Sequence, residues 1–221
     1  RWDAAADALG RLAERLVALR AALSDRSRTT VRLITTPERV VAAETVRTMT
    51  ALAVQGIRVD GVIANRLVPV FGPRRGAAAT WLHTRRDEQR AVLAELALGA
   101  DTPLLTVPYL AEEPIGVPAL RELAGSLYSS ADPLAAGGSS EPLLTVSGGD
   151  GRYELRIALP SIGDVDLARV GDELALTVDG RRRLISLPSL LRRCEVTGAD
   201  VDDVGLLVHF RPDPALWPRA E

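Results

Sequence analysis

Three residues whose types suit ligand binding follow three apolar segments of the chain, at the point where each segment ends. Glu38 comes after "VRLIT", Asn65 closes "DGVIAN", and Pro108 closes "PLLTVP". The side-chain amide of Asn65 offers a donor and an acceptor side by side, which matches the N6 and N7 edge of adenine. Asn65 could equally cap or turn the chain at a strand end, and Glu38 could cap a helix or contact a ligand. The residue types alone leave both choices open.

The segment around Glu38 carries the signals of a helix amino terminus. Thr36 is predicted as the N-cap residue and Pro37 as the first helical position, with Glu38 facing the positive end of the helix dipole. This helix should end near Gly56. For this segment taken alone, helix capping is the default interpretation of Glu38.

The three apolar segments alternate with helical patterns, which indicates a parallel sheet built from βαβ units. Further helices are expected at about residues 77–98 and 117–128. Ligands of open parallel sheets bind outside the carboxyl ends of the strands. Glu38, Asn65 and Pro108 should therefore lie along one rim of the sheet.

The ends of the chain have different patterns. Leu9, Leu12, Leu16, Leu19 and Leu23 form one apolar stripe, which predicts an amphipathic helix packed against a domain core. Small and polar residues at 129–142 indicate a flexible linker. Residues 143–218 show short alternating runs, which predict a small antiparallel β-sandwich.

Composition excludes several classes of function. A formal net charge of −2 gives no reason to expect nucleic-acid binding, and no apolar run is long enough for membrane insertion. The single cysteine, Cys194, fits a reducing cytoplasm, where we expect the protein to be located. Every basic residue is arginine, so the chain cannot form a phosphate-binding loop of the G-x-x-x-x-G-K-[ST] type.

The stretch "TTPERVVAAETVRTMTALAVQGIRVDGVIANRLVP" closely resembles the ArsA family of arsenite-pump and tail-anchored-protein-targeting ATPases. The later segments "RRDEQRAVLAEL" and "VPYLAEEPIG" resemble that family's arginine-to-glutamine helix and its proline-containing adenine loop. The resemblance runs from about residue 2 to residue 128. It implies that residues 1–128 are a partial nucleotide-binding α/β domain with the fold of the carboxyl-terminal half of a P-loop NTPase.

The resemblance also implies roles for particular residues. Glu38 corresponds to a nucleotide-contacting glutamate, and Asn65 to the asparagine that reads adenine. The loop that encloses the base corresponds to Val107, Pro108, Tyr109, Leu110 and Glu113. Glu44 and Arg47 match the family's E-T-x-R signature and are expected to form an ion pair at helical spacing.

The family's phosphate-binding loop and catalytic aspartates are not in this chain, so we expect no ATP hydrolysis by it alone. The resemblance implies ATP as ligand, with Mg²⁺ only in the complete ATPase, and a homo- or heterodimer of ATPase domains. The coupled process would be anion export or the handling of a protein client or membrane-protein partner in a bacterial cytoplasm. The alternative is a non-catalytic protein-binding module that keeps the fold. The targeting branch's zinc-binding cysteine pair is absent, so zinc-mediated dimerisation has no support.

The second unit resembles the small heat-shock (α-crystallin-like) domain that follows some bacterial ArsA-like ATPases, on the basis of "ELALTVDGRRRLISLP" and "CEVTGADVDDVGLLVHFRP". Such a domain could bind proteins, or it could be a passive packing unit. His83 and His209 are interpreted as surface or packing residues and Cys194 as an apolar filler. The basic run at 181–183 is interpreted as a solvated strand end.

Overall fold

The computed structural model describes residues 2–25, 27–72, 75–96, 98, 102–129, 132–134, 144–149, 151–159, 163–202 and 204–216. Most of the predicted linker at 129–142 lies outside the described residues. The predicted boundaries of the two domains therefore stay a prediction.

The amino-terminal unit alternates helices with parallel strands. Its elements are α1 (Trp2–Ser24), β1 (Thr30–Thr35), α2 (Arg39–Val54), β2 (Arg58–Leu67), α3 (Ala77–Glu95), β3 (Leu104–Pro108) and α4 (Gly116–Tyr128). The strands pair in the order β1-β2-β3, with both pairs parallel. The predicted βαβ arrangement is confirmed. Strand β2 lies in the middle and is the most buried strand because it has a neighbour on each side.

The carboxyl-terminal unit consists of two antiparallel sheets. Its strands are β4 (Leu144–Gly149), β5 (Arg152–Ala158), β6 (Val165–Val170), β7 (Glu173–Val178), β8 (Arg181–Ser186), β9 (Cys194–Asp202) and β10 (Gly205–Pro212). One sheet has the order β4-β5-β10-β9 and the other the order β6-β7-β8. Asp179 and Gly180 join β7 to β8, and both have positive φ, as a two-residue hairpin turn requires.

Alternating side chains of the two sheets form one apolar core, because successive residues of a strand point to opposite faces. Leu155 and Ile157 of β5 pack there with Leu174 and Leu176 of β7 and with Phe210 of β10. All of these side chains are buried. The α/β unit has a separate and smaller core, which includes Ala42, Met49, Val62, Val92 and Leu96.

Strands β1 and β2 are also joined by an ion pair on the sheet. Asp60 accepts hydrogen bonds from Arg32 Nε and Nη2, both at 3.0 Å, and from the Thr30 hydroxyl at 2.7 Å. The same guanidinium donates to the Tyr128 hydroxyl at 3.1 Å and lies over the tyrosine ring. These bonds raise the pKa of Arg32 above its ordinary value, with that to Asp60 the largest cause. The hydrogen bonds of Arg32 therefore link β1 to β2 and to the end of α4.

Two expectations for the amino-terminal unit are wrong. Helix α1 buries none of its residues, so its leucine stripe does not pack against a domain core in this structure. Helix α2 begins at Arg39, not at Pro37, and Glu38 occupies the N-cap position without a side-chain capping bond. Thr36 is not the cap; its carbonyl oxygen accepts a hydrogen bond from the Glu38 amide at 2.9 Å. This local turn moves the helix start by two residues.

Candidate functional site

The register of the sheet brings the carboxyl ends of the three strands together. Thr35 of β1 pairs with Ala64 of β2, so the chain leaves β1 beside Asn65. On the other side of β2, Leu67 pairs with Pro108, and the Tyr109 amide donates to the Leu67 carbonyl at 2.7 Å. Asn65 therefore lies between the turn that leads to Glu38 and the segment that follows β3.

A bulge in β2 presents Asn65. The β2–β3 register shifts between Ala64 and Leu67, and Arg66 adopts a positive φ of 61°. The Arg66 amide donates to Asn65 Oδ1 at 2.8 Å. An amide oxygen has a second lone pair, and the amide nitrogen of Asn65 carries two hydrogens, so the side chain can still pair with a ligand.

Gln89 of α3 holds this bulge with both ends of its side-chain amide. Its Oε1 accepts from the Val68 amide at 2.8 Å, and its Nε2 donates to the Arg66 carbonyl at 3.2 Å. Gln89 is only 4% exposed. The bonds fix the backbone on the carboxyl side of Asn65, where the ladder to β3 is interrupted.

Glu38 is held by the same helix. Its Oε1 accepts a hydrogen bond from Arg85 Nη2 at 2.8 Å, and both side chains are partly exposed. Arg85 and Gln89 are four residues apart and therefore lie on one face of α3. Helix α3 thus positions the residue after β1 and the bulge in β2. The resemblance associated the arginine-to-glutamine segment with a family helix, but the sequence analysis did not assign the contacts of Arg85 and Gln89. The spacing of four residues between these two polar side chains could have indicated that both face the same part of the sheet.

The segment after β3 is open to solvent at the rim. Tyr109 is 61% exposed, and Leu110 and Glu113 are also exposed. An exposed aromatic ring that follows the strand next to β2 offers a surface on which a planar base can stack. Val107, by contrast, is buried within the sheet, so its side chain faces the interior and only its backbone reaches the rim.

Other residues considered from the sequence have structural contacts. His83 packs against Phe71, with ring centroids 4.6 Å apart, and His209 Nε2 lies 2.8 Å from an Asp200 carboxylate oxygen. Cys194 is buried in the sandwich core, and this burial raises the pKa of its thiol. Glu44 and Arg47 form the expected ion pair, which is largely exposed.

The basic run at 181–183 is not solvated throughout. Arg181 and Arg182 are exposed, but Arg183 is half-buried and donates a hydrogen bond to the Val54 carbonyl of α2. The expectation of a solvated strand end is wrong for this one residue because the sandwich contacts α2 there.

The fold therefore combines a parallel α/β unit, with polar residues at the rim of its strands, and an antiparallel β-sandwich. Residues 1–129 match the family model of the anion-transporting ATPases, and residues 150–210 match that of the HSP20-like domain found in ArsA. The chain belongs to the ArsA family of anion-transporting ATPases.

Several curated proteins are similar to most of this chain, and one of the three described next has a name that belongs to the same family. Protein Rv2184c of Mycobacterium tuberculosis is 39% identical over 96% of this chain and 53% of its own length. Protein SCO2128 of Streptomyces coelicolor is 38% identical over 92% of this chain and 50% of its own length. A Chlorobaculum tepidum protein, named provisionally as an arsenical pump-driving ATPase, is 28% identical over 93% of this chain and 50% of its own length. The chain spans about half the length of these curated relatives.

Among the helices that the structure describes, none combines the length and the apolar character that a membrane span requires. Nor does the described part of the chain contain a group of three or more histidine, cysteine, aspartate or glutamate side chains placed to hold a metal ion.

Proposed function

We propose that this chain is the adenine-nucleotide-binding part of an ArsA-type ATPase. In the complete protein, binding and hydrolysis of ATP would be coupled to anion export or to the handling of a protein client. The base would contact Asn65, and the nucleotide would also contact Glu38. The loop formed by Val107, Pro108, Tyr109, Leu110 and Glu113 would enclose the base.

The observation that carries this proposal is the position of Asn65 at the centre of the rim. The bulge held by Gln89 gives its side chain a fixed backbone, and the exposed ring of Tyr109 follows the neighbouring strand. A polar amide and an aromatic ring on neighbouring strand ends suit a purine base, which needs hydrogen bonds at its edge and stacking on its face. Membership of the ArsA family supports a nucleotide as the ligand.

The residues present fit the base better than they fit the phosphates. Positioned cations stabilise the charge on transferring phosphoryl groups, and this chain has no lysine. Arg85 is partly engaged by Glu38 at 2.8 Å. Mg²⁺ and phosphate contacts are therefore assigned to the remainder of the complete ATPase, which would supply the chemistry of hydrolysis.

Substitution of Asn65 in the full-length gene product tests the adenine site. Asn65→Ala removes the hydrogen bonds to the base edge, and the loss of such a contact costs on the order of 1–3 kcal/mol, or about ten- to a hundred-fold in affinity. We expect weaker ATP binding, a smaller preference for ATP over GTP, and a kcat close to that of the parent. Calorimetric titration with ATP and GTP measures the first two effects.

Two further variants make the test specific. Asn65→Asp keeps the size of the side chain but loses the amide hydrogens that reach adenine N7, so it should also bind ATP weakly. Glu44→Ala removes an exposed side chain of α2 and should bind ATP like the parent. Parental ATP affinity in both Asn65 variants would refute the adenine site.

The second candidate function is a non-catalytic protein-binding module. The exposed apolar side chains Ile115, Val117 and Leu120 at and near the start of α4 favour a protein contact there. This candidate predicts no saturable binding of ATP or ADP by the full-length gene product. The same titration therefore separates the two functions.

A further inference from the structure

The carboxyl end of α2 contacts the β-sandwich, although different family models match these two parts of the chain. Val54 is 2% exposed and belongs to the apolar core of the sandwich. We propose that the sandwich carries a docking site for the carboxyl end of α2, and that this docking holds in place the helix at whose amino end Glu38 lies. The second part of this proposal rests on the proposed nucleotide function.

An apolar contact forms the first part of the docking site. The Val54 side chain is buried among the sandwich residues, and Ala53 packs against the same core. These are the last residues of a helix whose buried residues Ala42 and Met49 belong to the other core. One helix therefore contributes to the cores of both units.

A hydrogen bond to the helix end forms the second part. The last turn of α2 leaves carbonyl groups without intrahelical partners. The Gly56 amide donates to Ala53 and the Ile57 amide to Leu52, the two bonds of a Schellman motif. The Val54 carbonyl receives its hydrogen bond from Arg183 Nη1 at 2.7 Å. A cation at this position also interacts favourably with the negative end of the helix dipole.

Gly56 makes room for the arginine. Its φ of +79° suits the residue that ends a helix in this motif. A Cβ atom added there would lie 2.8 Å from both terminal nitrogens of the Arg183 guanidinium. A larger residue would therefore displace the guanidinium from the Val54 carbonyl. Gly56 therefore has two roles: it adopts the positive φ of the turn, and its lack of a side chain leaves space for the Arg183 guanidinium.

On one side of this contact, open space separates α2 from the sandwich. A cavity of about 370 Å³ lies beside it, between α2 and the β7–β8 hairpin. Glu44 and Arg47 line the cavity from the helix, and Asp179 and Arg181 line it from the hairpin. Val54 and Arg183 make described contacts beside this space, and we therefore expect a substitution of Arg183 to loosen the docking.

The position of α2 connects this docking site with the nucleotide rim. The helix is 16 residues long, or about 24 Å at 1.5 Å per residue. Glu38 precedes its first residue and Val54 is its last. A restraint on the carboxyl end therefore also restrains the position of Glu38. Because linkage between two sites is reciprocal, a ligand at Glu38 must favour the docked state to the same extent that docking favours the ligand.

Hydrogen exchange of this chain tests the docking site. Arg183→Ala should raise the exchange rate of the backbone amides at residues 52–57 by about tenfold or more, since a charge-assisted hydrogen bond is lost. Arg182→Ala removes an exposed arginine from the adjacent position and should leave that rate unchanged. Arg183→Lys keeps the positive charge and should retain part of the protection. Equal rates in the Arg183→Ala and Arg182→Ala variants would overturn the docking site.

Nucleotide titration of the full-length gene product tests the connection with Glu38. Arg183→Ala should weaken ATP binding by about three- to tenfold, within the usual range of coupling between sites, and Arg182→Ala should not. ATP should slow exchange at residues 52–57 in the parent by a similar factor. If Arg183→Ala speeds exchange but leaves ATP affinity unchanged, the coupling between the docking site and Glu38 is overturned, and the docking site itself is supported. A parent protein that binds no ATP would refute the proposed function and the connection, and the exchange contrast would still decide the docking site.

Discussion

The polar residues of the rim differ in what holds them. Asn65 depends on the backbone bulge, which depends in turn on the two hydrogen bonds from Gln89. Glu38 depends on a partly exposed ion pair with Arg85. A buried polar group that loses its partner costs more free energy than an exposed ion pair contributes, so the two sites should respond differently to substitution.

Gln89→Ala should lower the free energy of unfolding by about 1–3 kcal/mol, because the Val68 amide and the Arg66 carbonyl lose their partner. It should also weaken ATP binding to the full-length gene product, since the bulge no longer fixes Asn65. Urea denaturation and calorimetry measure the two effects. Arg90→Ala, at the exposed neighbouring position, is the matched control. Parental stability in Gln89→Ala would contradict the role of the two hydrogen bonds.

Glu38→Gln should change the free energy of unfolding by less than about 1 kcal/mol, because its pair with Arg85 is partly exposed and no capping bond is lost. If Glu38 contacts nucleotide, ATP affinity should nevertheless change. Thermal unfolding without ligand and titration with ATP separate these effects. Glu44→Gln removes one charge from another exposed pair of α2 and should affect neither quantity. A large loss of stability in Glu38→Gln alone would show that the residue is mainly structural.

At the scale of elements, a group of polar side chains links strands β1 and β2 of the parallel sheet. Asp60 is 8% exposed and accepts three hydrogen bonds from two residues of β1. Arg32 also donates a hydrogen bond to the Tyr128 hydroxyl at the end of α4. Breaking a buried ion pair leaves a charge without compensation, which is more costly than the loss of a surface pair.

Asp60→Ala should therefore lower the free energy of unfolding by about 2–4 kcal/mol. Glu44→Ala breaks a pair of the same chemistry on the surface and should cost less than about 1 kcal/mol. Urea denaturation of both variants gives the comparison. A similar effect of the two substitutions would show that burial does not determine the contribution of the Arg32–Asp60 pair.

At the scale of the whole molecule, two units with separate cores share helix α2. The sequence predicts a flexible linker at residues 129–142, where Ser, Gly and Pro are frequent. The structural contact between the units runs instead through α2 and Arg183. The two parts are therefore joined at a second place, remote in sequence from the linker.

Limited proteolysis should cut first within residues 129–142 and leave a resistant fragment that begins near Glu141. A packed sandwich resists cleavage because its backbone is hydrogen-bonded in the sheets. Mass spectrometry of the early products identifies the first cleavage. An early cut between residues 163 and 202 would contradict the predicted boundary.

This chain alone should not hydrolyse ATP, because it has no lysine-containing phosphate-binding loop. Release of phosphate from ATP by the purified chain should equal that of a blank. Asn65→Ala in the same preparation is the control for contaminating ATPases, whose activity it would not alter. Turnover above the blank whose KM for ATP rises in Asn65→Ala would contradict the prediction.

The local sequence was sufficient for the order and type of the elements in the amino-terminal unit. The apolar runs that end at Thr35, Asn65 and Pro108 predicted the three parallel strands, since a short buried strand has a continuous apolar pattern. Asp179 and Gly180 form the turn between β7 and β8, and both residue types tolerate the positive φ that this turn requires. The same patterns predicted that Glu38, Asn65 and Pro108 share a rim, because parallel strands end on the same side of a sheet.

The tertiary structure decided which side chains hold these residues. Gln89 contacts Arg66 and Val68 across 21 to 23 positions, and Arg183 contacts Val54 across 129. Such pairs follow from the packing of elements, which a local pattern does not encode. The leucine stripe of α1 is a second example of a property that a local pattern does not determine. Its periodicity correctly predicted a helix, but whether an apolar face is buried depends on what packs against it, and in this structure α1 buries no residue.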